Sequence, residues 1–307
     1  MNSMNTTSYG WNTPTGDGVS DLITRIRIPG TAPHVHTALV AGPPNGEKVL
    51  LLHGFPGFGE SWSRQLVALA RAGYRAMAVD QRGYAREARP PAVAEYSTGH
   101  LVGDARAFAR ALGGDEPFHL VGHDWGGMVA WNLAAGHRER VASLTVLSTP
   151  HPRALHAALR TDPDQARRSA YILEFQKPGG VAEAALSANG ARGLRRIYED
   201  ALPPALVGAY VARLGEPGAP TATPNWYRAV AESPAPLAGP VRVPTLYVWG
   251  DQDGASGRTA AESTGAWTGA DYRFEVLPGA GHWIPDAHAE ALEPLLLAHL
   301  AAHPGRF

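Results

Sequence analysis

Gly122-His123-Asp124-Trp125-Gly126-Gly127 constrains the fold of this chain more than any other stretch. Before it, Pro117-Phe118-His119-Leu120-Val121 reads as a short buried strand. After it, Met128-Val129-Ala130-Trp131-Asn132-Leu133-Ala134 reads as a helix. A sharp turn must join the two, and small residues at Gly122 and Gly126 let strand and helix approach closely. The spacing is that of a nucleophile elbow, G-x-Nuc-x-G, with aspartate in the reactive position. A serine there attacks carbonyl carbon and makes an acyl-enzyme. A carboxylate attacks saturated carbon and makes an alkyl ester. The positive end of the helix favours the ionised form of Asp124. An aspartate that merely caps the helix would look the same in isolation, so the rest of the chain has to decide.

Strands and helices alternate at both ends of the chain. Leu22 to Ile28 and His34 to Val40 alternate with period two and read as an opening hairpin with one wet face. Val49–Leu52, Ala76–Val79, His119–Val121, Leu144–Leu147, Thr245–Trp249 and Tyr272–Leu277 read as six further strands, mostly continuous apolar runs. Helical patterns lie between them at Gln65–Ala72, Leu101–Leu112, Met128–Ala135 and Ala287–Leu300. This order predicts a mainly parallel eight-stranded sheet covered by helices on both faces, an α/β fold. From 152 to 240 the alternation stops. Helical pieces at Ala166–Phe175, Ala191–Tyr198 and Ala205–Leu214 are broken by Pro and Gly, with Pro-rich seams at Pro217–Pro224 and Pro234–Pro244. We expect a loose arm over 1–18, a core built from 19–151 and 241–307, and a helical cap over 152–240 that closes the strand ends from water.

At 307 residues the chain suits one such domain with an insertion, and a 44% hydrophobic fraction supports a sizeable core. A net charge of -1 with no Lys/Arg block argues against nucleic acid and anionic membrane surfaces. The absence of cysteine excludes thiol catalysis and disulfides. With a polar N-terminus that lacks a secretory h-region, it leads us to expect a cytoplasmic protein that does not span a membrane.

Three more motifs follow strand ends: His53-Gly54-Phe55-Pro56, Trp249-Gly250-Asp251-Gln252-Asp253 and Gly279-Ala280-Gly281-His282-Trp283. Together with the elbow they resemble the α/β-hydrolase family, and within it the epoxide hydrolases, from about Leu22 to Leu300. The resemblance implies Asp124 as nucleophile and His282 as the base that deprotonates water. Histidine suits that task because its pKa lies near neutrality. It implies Asp253 as the acid that orients the imidazole, with Asp251 as runner-up. Some relatives carry the acid after the preceding strand, but Leu147-Ser148-Thr149-Pro150-His151-Pro152 offers no carboxylate. The backbone N–H groups of Phe55 and Trp125 are the expected oxyanion hole. His53, Trp125, Phe175, Trp226 and Trp283 are expected around the substrate. Asp80 and Arg82, in Asp80-Gln81-Arg82-Gly83-Tyr84, read as structural. The continuation Ala85-Arg86 departs from the small or Gly residue and Ser common in relatives.

The leaving group separates the aspartate-nucleophile chemistries. An epoxide opens to an alkoxide, which needs acids above it, and epoxide hydrolases use two cap tyrosines. Tyr171, in Tyr171-Ile172-Leu173-Glu174-Phe175-Gln176, and Tyr227, in Asn225-Trp226-Tyr227-Arg228, match those contexts; Tyr198 and Tyr210 are spares. A cap tyrosine is more often an ordinary packing residue, but two in matching contexts favour the functional role. Haloalkane dehalogenation is the alternative. It needs two N–H donors for halide, and Phe55 supplies none from its side chain, which leaves Trp125 and Trp226. Fluoroacetate dehalogenation needs an Arg directly after the nucleophile, where Trp125 stands. A non-catalytic ligand-binding protein should have lost part of the constellation, and none is missing. The expected reaction partners are a small apolar epoxide and water, with no nucleotide, metal or flavin cofactor. The resemblance leaves room for a homodimer.

Overall fold

Along the chain lie eight strands: β1 (Ile23–Pro29), β2 (Val35–Ala41), β3 (Lys48–Leu52), β4 (Arg75–Val79), β5 (Phe118–His123), β6 (Val141–Leu147), β7 (Thr245–Gly250) and β8 (Tyr272–Leu277). They join in one sheet in the order β1-β2-β4-β3-β5-β6-β7-β8. β2 pairs antiparallel with both β1 and β4, and every other pairing is parallel. The computed structural model describes residues 22–198, 201–232, 237–269 and 271–305. The expected arm over 1–18 and the start of the second Pro-rich seam lie outside them.

Alternation along the central strands sends side chains into two cores. Leu50, Leu52, Leu120 and Val146 face one, together with Phe108 of α2 (Thr98–Gly113) and Trp131 of α3 (Trp125–Gly136). Val49, Leu51, Val121, Leu147, Leu246 and Val248 face the other. There α1 (Ser63–Arg71) contributes Leu66 and Leu69. These strands are buried on both faces, which is why they read as unbroken apolar runs.

Seven helices separate β6 from β7 among the described residues: α4 (Pro152–Thr161), α5 (Pro163–Arg168), α6 (Ala170–Gln176), α7 (Val181–Ile197), α8 (Pro204–Leu214), α9 (Ala219–Ala222) and α10 (Asn225–Glu232). Three more follow: α11 (Arg258–Ser263), α12 (Ile284–Ala287) and α13 (Ala289–Ala302), the last adding Leu292, Leu296 and Leu300 to the second core. The stretch read as one helix over Ala166–Phe175 is two, divided at Ser169 (φ −90°, ψ 0°). α7 is itself kinked, with non-helical backbone from Ala188 to Ala191.

The two ends of the insertion meet. His151 Nε2 bonds the Gly239 carbonyl at 3.2 Å, and Arg153 Nε donates to the Ala238 carbonyl at 2.9 Å. At the other side, α8 is held to the sheet by charge. Arg213 pairs with Asp80 and, at 2.8 Å, with Glu60, its guanidinium lying 3.7 Å from the Phe58 ring centroid. Glu216 takes Arg86 at 2.6 Å and Arg89 at 3.1 Å. The departure at Arg86 thus has a physical partner across the seam. Arg82 is buried and forks onto Asp104 at 2.7 and 3.0 Å, an interior use that agrees with its structural reading.

Candidate active site

Asp124 sits between β5 and α3 with φ +51° and ψ −122°, a strained conformation for any residue but glycine. The strain is imposed by close packing. A Cβ on Gly122 would lie 2.4 Å from the Gly126 carbonyl oxygen, and one on Gly126 would lie 2.1 Å from that of Leu52. Although Asp124 stands at the N-cap of α3, its side chain makes no capping bond. The carboxylate turns instead to β3's loop, where Oδ1 accepts the Phe55 N–H at 2.7 Å. That geometry removes the helix-capping alternative and leaves Oδ2 facing His282.

His282 follows β8 and joins the two acids. Its Nδ1 lies 3.0 and 3.1 Å from the Asp253 carboxylate oxygens, and its Nε2 lies 3.6 Å from Asp124 Oδ2. Asp253 Oδ1 also accepts the N–H groups of Ala255 and Ser256 at 2.8 and 3.0 Å, so the acid is fixed before it meets the imidazole. Asp251, the runner-up, points elsewhere and accepts the Gly279 N–H at 2.7 Å. Burial pushes the His282 pKa down, but the charge of Asp253 and the contacts with both carboxylates outweigh it, and the net shift is well upward. Burial pushes Asp124 up, but His282, then His123 and the Trp125 N–H, bring it below the usual carboxylate range. Both shifts favour the same arrangement, an ionised Asp124 beside a protonated His282.

A cavity of about 210 Å³ opens above Asp124. Asp124, His282, Phe55, Phe175 and Trp283 line it, and so do Tyr171 of α6 and Tyr227 of α10. The tyrosine rings stand 6.1 Å apart, centroid to centroid, and Phe175 packs edge-on to both at 5.6 and 5.0 Å. Trp125 supports Tyr227 from below at 5.0 Å. The tyrosine pKa values are raised, Tyr171 first by desolvation of its hydroxyl in the cavity, although 37% of the residue's surface is exposed, and then by the Asp124 charge, Tyr227 first by burial and then by Tyr171 and Asp124. Both phenols keep their protons.

Three expected pocket residues, His53, Trp125 and Trp226, do not line this cavity. His53 is buried beneath it, accepting the Gln81 N–H at 3.2 Å and packed on Tyr84 at 4.6 Å. Trp226 turns its Nε1 away to the Arg82 carbonyl at 2.9 Å. His53 and Trp226 belong to the wall behind the site, because each polar ring atom is satisfied by backbone of the neighbouring loop. Tyr198 and Tyr210 also face elsewhere, toward Pro56 and Ser61.

The family model for the α/β hydrolase fold matches residues 48–289. Epoxide hydrolase A of Mycobacterium tuberculosis is 34% identical over 303 residues, covering 85% of this chain and 92% of that protein. The chain belongs to the epoxide hydrolase family of α/β hydrolases. Epoxide hydrolase 3 of Xenopus tropicalis is similar at 32% identity, over 84% of this chain and 72% of its own. Among solved structures, epoxide hydrolase A from Mycobacterium thermoresistibile superposes with a TM-score of 0.80 at 28% identity, covering 92% of this chain and 100% of the other. Against that family background, Arg168, Ile197, Gly254 and Ala255 are cavity residues that sequence reasoning missed. Arg168 pairs with Asp164 at 2.6 Å and donates to the Asp253 carbonyl. Its helical surroundings carried no signal of this. No helix among the described residues is long and apolar enough to cross a membrane.

Proposed function

We propose that this chain opens an epoxide to a vicinal diol through an aspartyl ester. The observation that carries the reading is the shared cavity: Asp124 and His282 below, Tyr171 and Tyr227 opposite. Asp124 Oδ2 attacks an epoxide carbon from its back side, the C–O bond breaks, and the leaving oxygen takes a proton from the tyrosine pair. A phenol with a raised pKa is a hydrogen-bond donor poised for an alkoxide. With the Asp124 charge gone, His282 gives up its proton, which returns through solvent to the tyrosine pair, and the neutral imidazole then takes a proton at Nε2 from the water that faces the ester. Its hydroxide adds to the ester carbonyl carbon, and the oxyanion rests on the N–H groups of Phe55 and Trp125. Collapse releases the diol and returns the carboxylate.

The helices over 152–240 act in this reading as a cap that dries the site, which strengthens each charge interaction inside it. The apolar lining from Phe55, Phe175 and Trp283 suits a small apolar epoxide. Water is its co-substrate, and no cofactor enters the scheme. A cytoplasmic setting completes the proposal. The dehalogenase alternative is disfavoured by Trp226, whose indole N–H is already committed to Arg82.

Single turnover of styrene oxide in ¹⁸O-water tests the reading. Label is expected in Asp124 and absent from the first diol. Label in the first-turnover diol would mean direct attack by water and would overturn the ester. Bromide released from 1-bromobutane, with no diol from styrene oxide, would support the dehalogenase instead. Failure with both would favour a binding protein.

A further inference from the structure

The main-chain carbonyl of His282 accepts two side-chain hydrogen bonds. His123 Nε2 reaches it at 2.8 Å, and Ser148 Oγ donates to it at 2.8 Å. Since a carbonyl only accepts, His123 is the Nε2–H tautomer; the Ile284 N–H also reaches this oxygen, at 3.0 Å, so the two side chains add to a local backbone bond. His123 stays neutral there, its pKa lowered to about 4 by burial first and then by the facing charge of His282. Ser148 makes further contacts. Its own carbonyl accepts Ser256 Oγ at 2.7 Å, and its N–H donates to the Val248 carbonyl at 2.9 Å. Ser256 N–H in turn holds Asp253 Oδ1 at 3.0 Å. One residue at the end of β6 therefore ties the loop of the acid to the loop of the base.

Ser148 has φ +62° and no exposed surface. Glycine would adopt that backbone without strain, so the hydroxyl group is held in place against a local conformational cost. Such cost is retained where the surrounding structure over-determines a residue, which is common near functional sites.

We propose that Ser148, assisted by His123, is a positioning residue that fixes the His282 main chain so that Nε2 meets the water while Nδ1 stays on Asp253. The proposal rests on the two-step reading above. Attack by Asp124 needs no proton from His282, so the loss of Ser148 falls on ester hydrolysis and spares ester formation.

Ser148→Gly removes the hydroxyl and relieves the strained φ, so it separates positioning from stability. With enzyme in excess over styrene oxide, ester formation keeps its rate. Ester hydrolysis slows by about tenfold, the scale of a small misplacement of a reacting group, and the adduct accumulates by mass spectrometry without a drop in Tm. Adding His123→Phe, which strips the second donor, slows hydrolysis by more than the product of the two single effects. His123→Gln, which retains an N–H, recovers part of the loss. Wild-type hydrolysis rates in Ser148→Gly and in the double variant would overturn the proposal. The proton NMR signal of His282 Nδ1–H gives a readout that needs no substrate: it shifts or broadens in Ser148→Gly. An unchanged signal in that variant refutes the positioning role even if styrene oxide forms no ester with the wild-type enzyme, an outcome that would instead count against the function proposed above.

Discussion

Nε2 of His282 stands 3.6 Å from Oδ2 of Asp124, too far for a good hydrogen bond and close enough for an ion pair. The imidazole is thus shared electrostatically between two carboxylates, and both help to raise its pKa. Converting Asp124 to a neutral ester removes one of them. The imidazole then loses part of what kept it protonated, at the stage where a base is needed. In the proposed two-step reaction, nucleophile and base are ordered in time by the charge that the first step consumes.

His282→Gln is expected to form the ester and to stop there. Electrospray mass spectrometry of this variant with styrene oxide should show a protein heavier by one substrate, with diol turnover down by about 10³-fold or more. An unmodified protein would break the assigned order.

Tyr171→Phe and Tyr227→Phe should each slow ring opening by about 10- to 100-fold, and the pair together should nearly abolish it. Stopped-flow tryptophan fluorescence reports the alkylation step, since Trp125 and Trp283 flank the site. Both phenol pKa values lie above the ordinary 10.0, so the wild-type alkylation rate should show no loss from tyrosine ionisation up to about pH 10. A fall centred near pH 9 would remove the tyrosines from the acid role.

Asp253→Asn leaves the imidazole without its anionic partner and its fixed tautomer. Ester hydrolysis should fall by about 10²- to 10⁴-fold while ester formation changes far less. Asp251→Asn, which alters only the turn before Gly279, should hydrolyse the ester at close to the wild-type rate. Equal losses in the two variants would make Asp253 a fold determinant.

Asp286, on α12, is raised to about 8 by burial, although Tyr210 and Ser61 beside it pull the other way. Its folded pKa therefore exceeds its ordinary value of 3.8. As pH rises the unfolded chain gives up this proton first, and the folded state loses stability between about pH 4 and about pH 8. Above that both states are ionised and the loss is constant. Asp286→Asn should abolish this slope and stabilise the protein by up to about 5 kcal/mol at pH 8, about 1.4 kcal/mol for each pH unit of that window, with little effect at pH 4. Urea unfolding at the two pH values measures it. Parallel pH profiles for wild type and variant would exclude the buried acid as the cause.

The sheet was legible because strands buried on both faces have to be apolar throughout, and the eight expected strands all form, to within a residue or two at most ends. The turns that carry Asp124 and His282 were legible because they demand Gly at Gly122, Gly126 and Gly279. The 152–240 helices were less so. Periodicity does not register the break at Ser169 or the kink at Ala188–Ala191, where tertiary packing overrides local preference. His53, Trp125 and Trp226 were misjudged as pocket residues because a motif gives proximity to a site and not the direction of a ring. Ser148 offered no sequence signal at all, since its role lies in a backbone angle and in partners more than 100 residues away.

The insertion leaves the sheet at His151 and comes back to within hydrogen-bonding distance at Gly239. If the 152–240 stretch is the cap proposed above, its stapled ends make it a cassette. Its helices can be exchanged for those of another family member, with new walls and a new selectivity, while β6 and β7 feel no difference in the span they must bridge. Such a transplant must carry replacements for Arg213 and Glu216, because those two side chains hold the cassette to the sheet at its far edge.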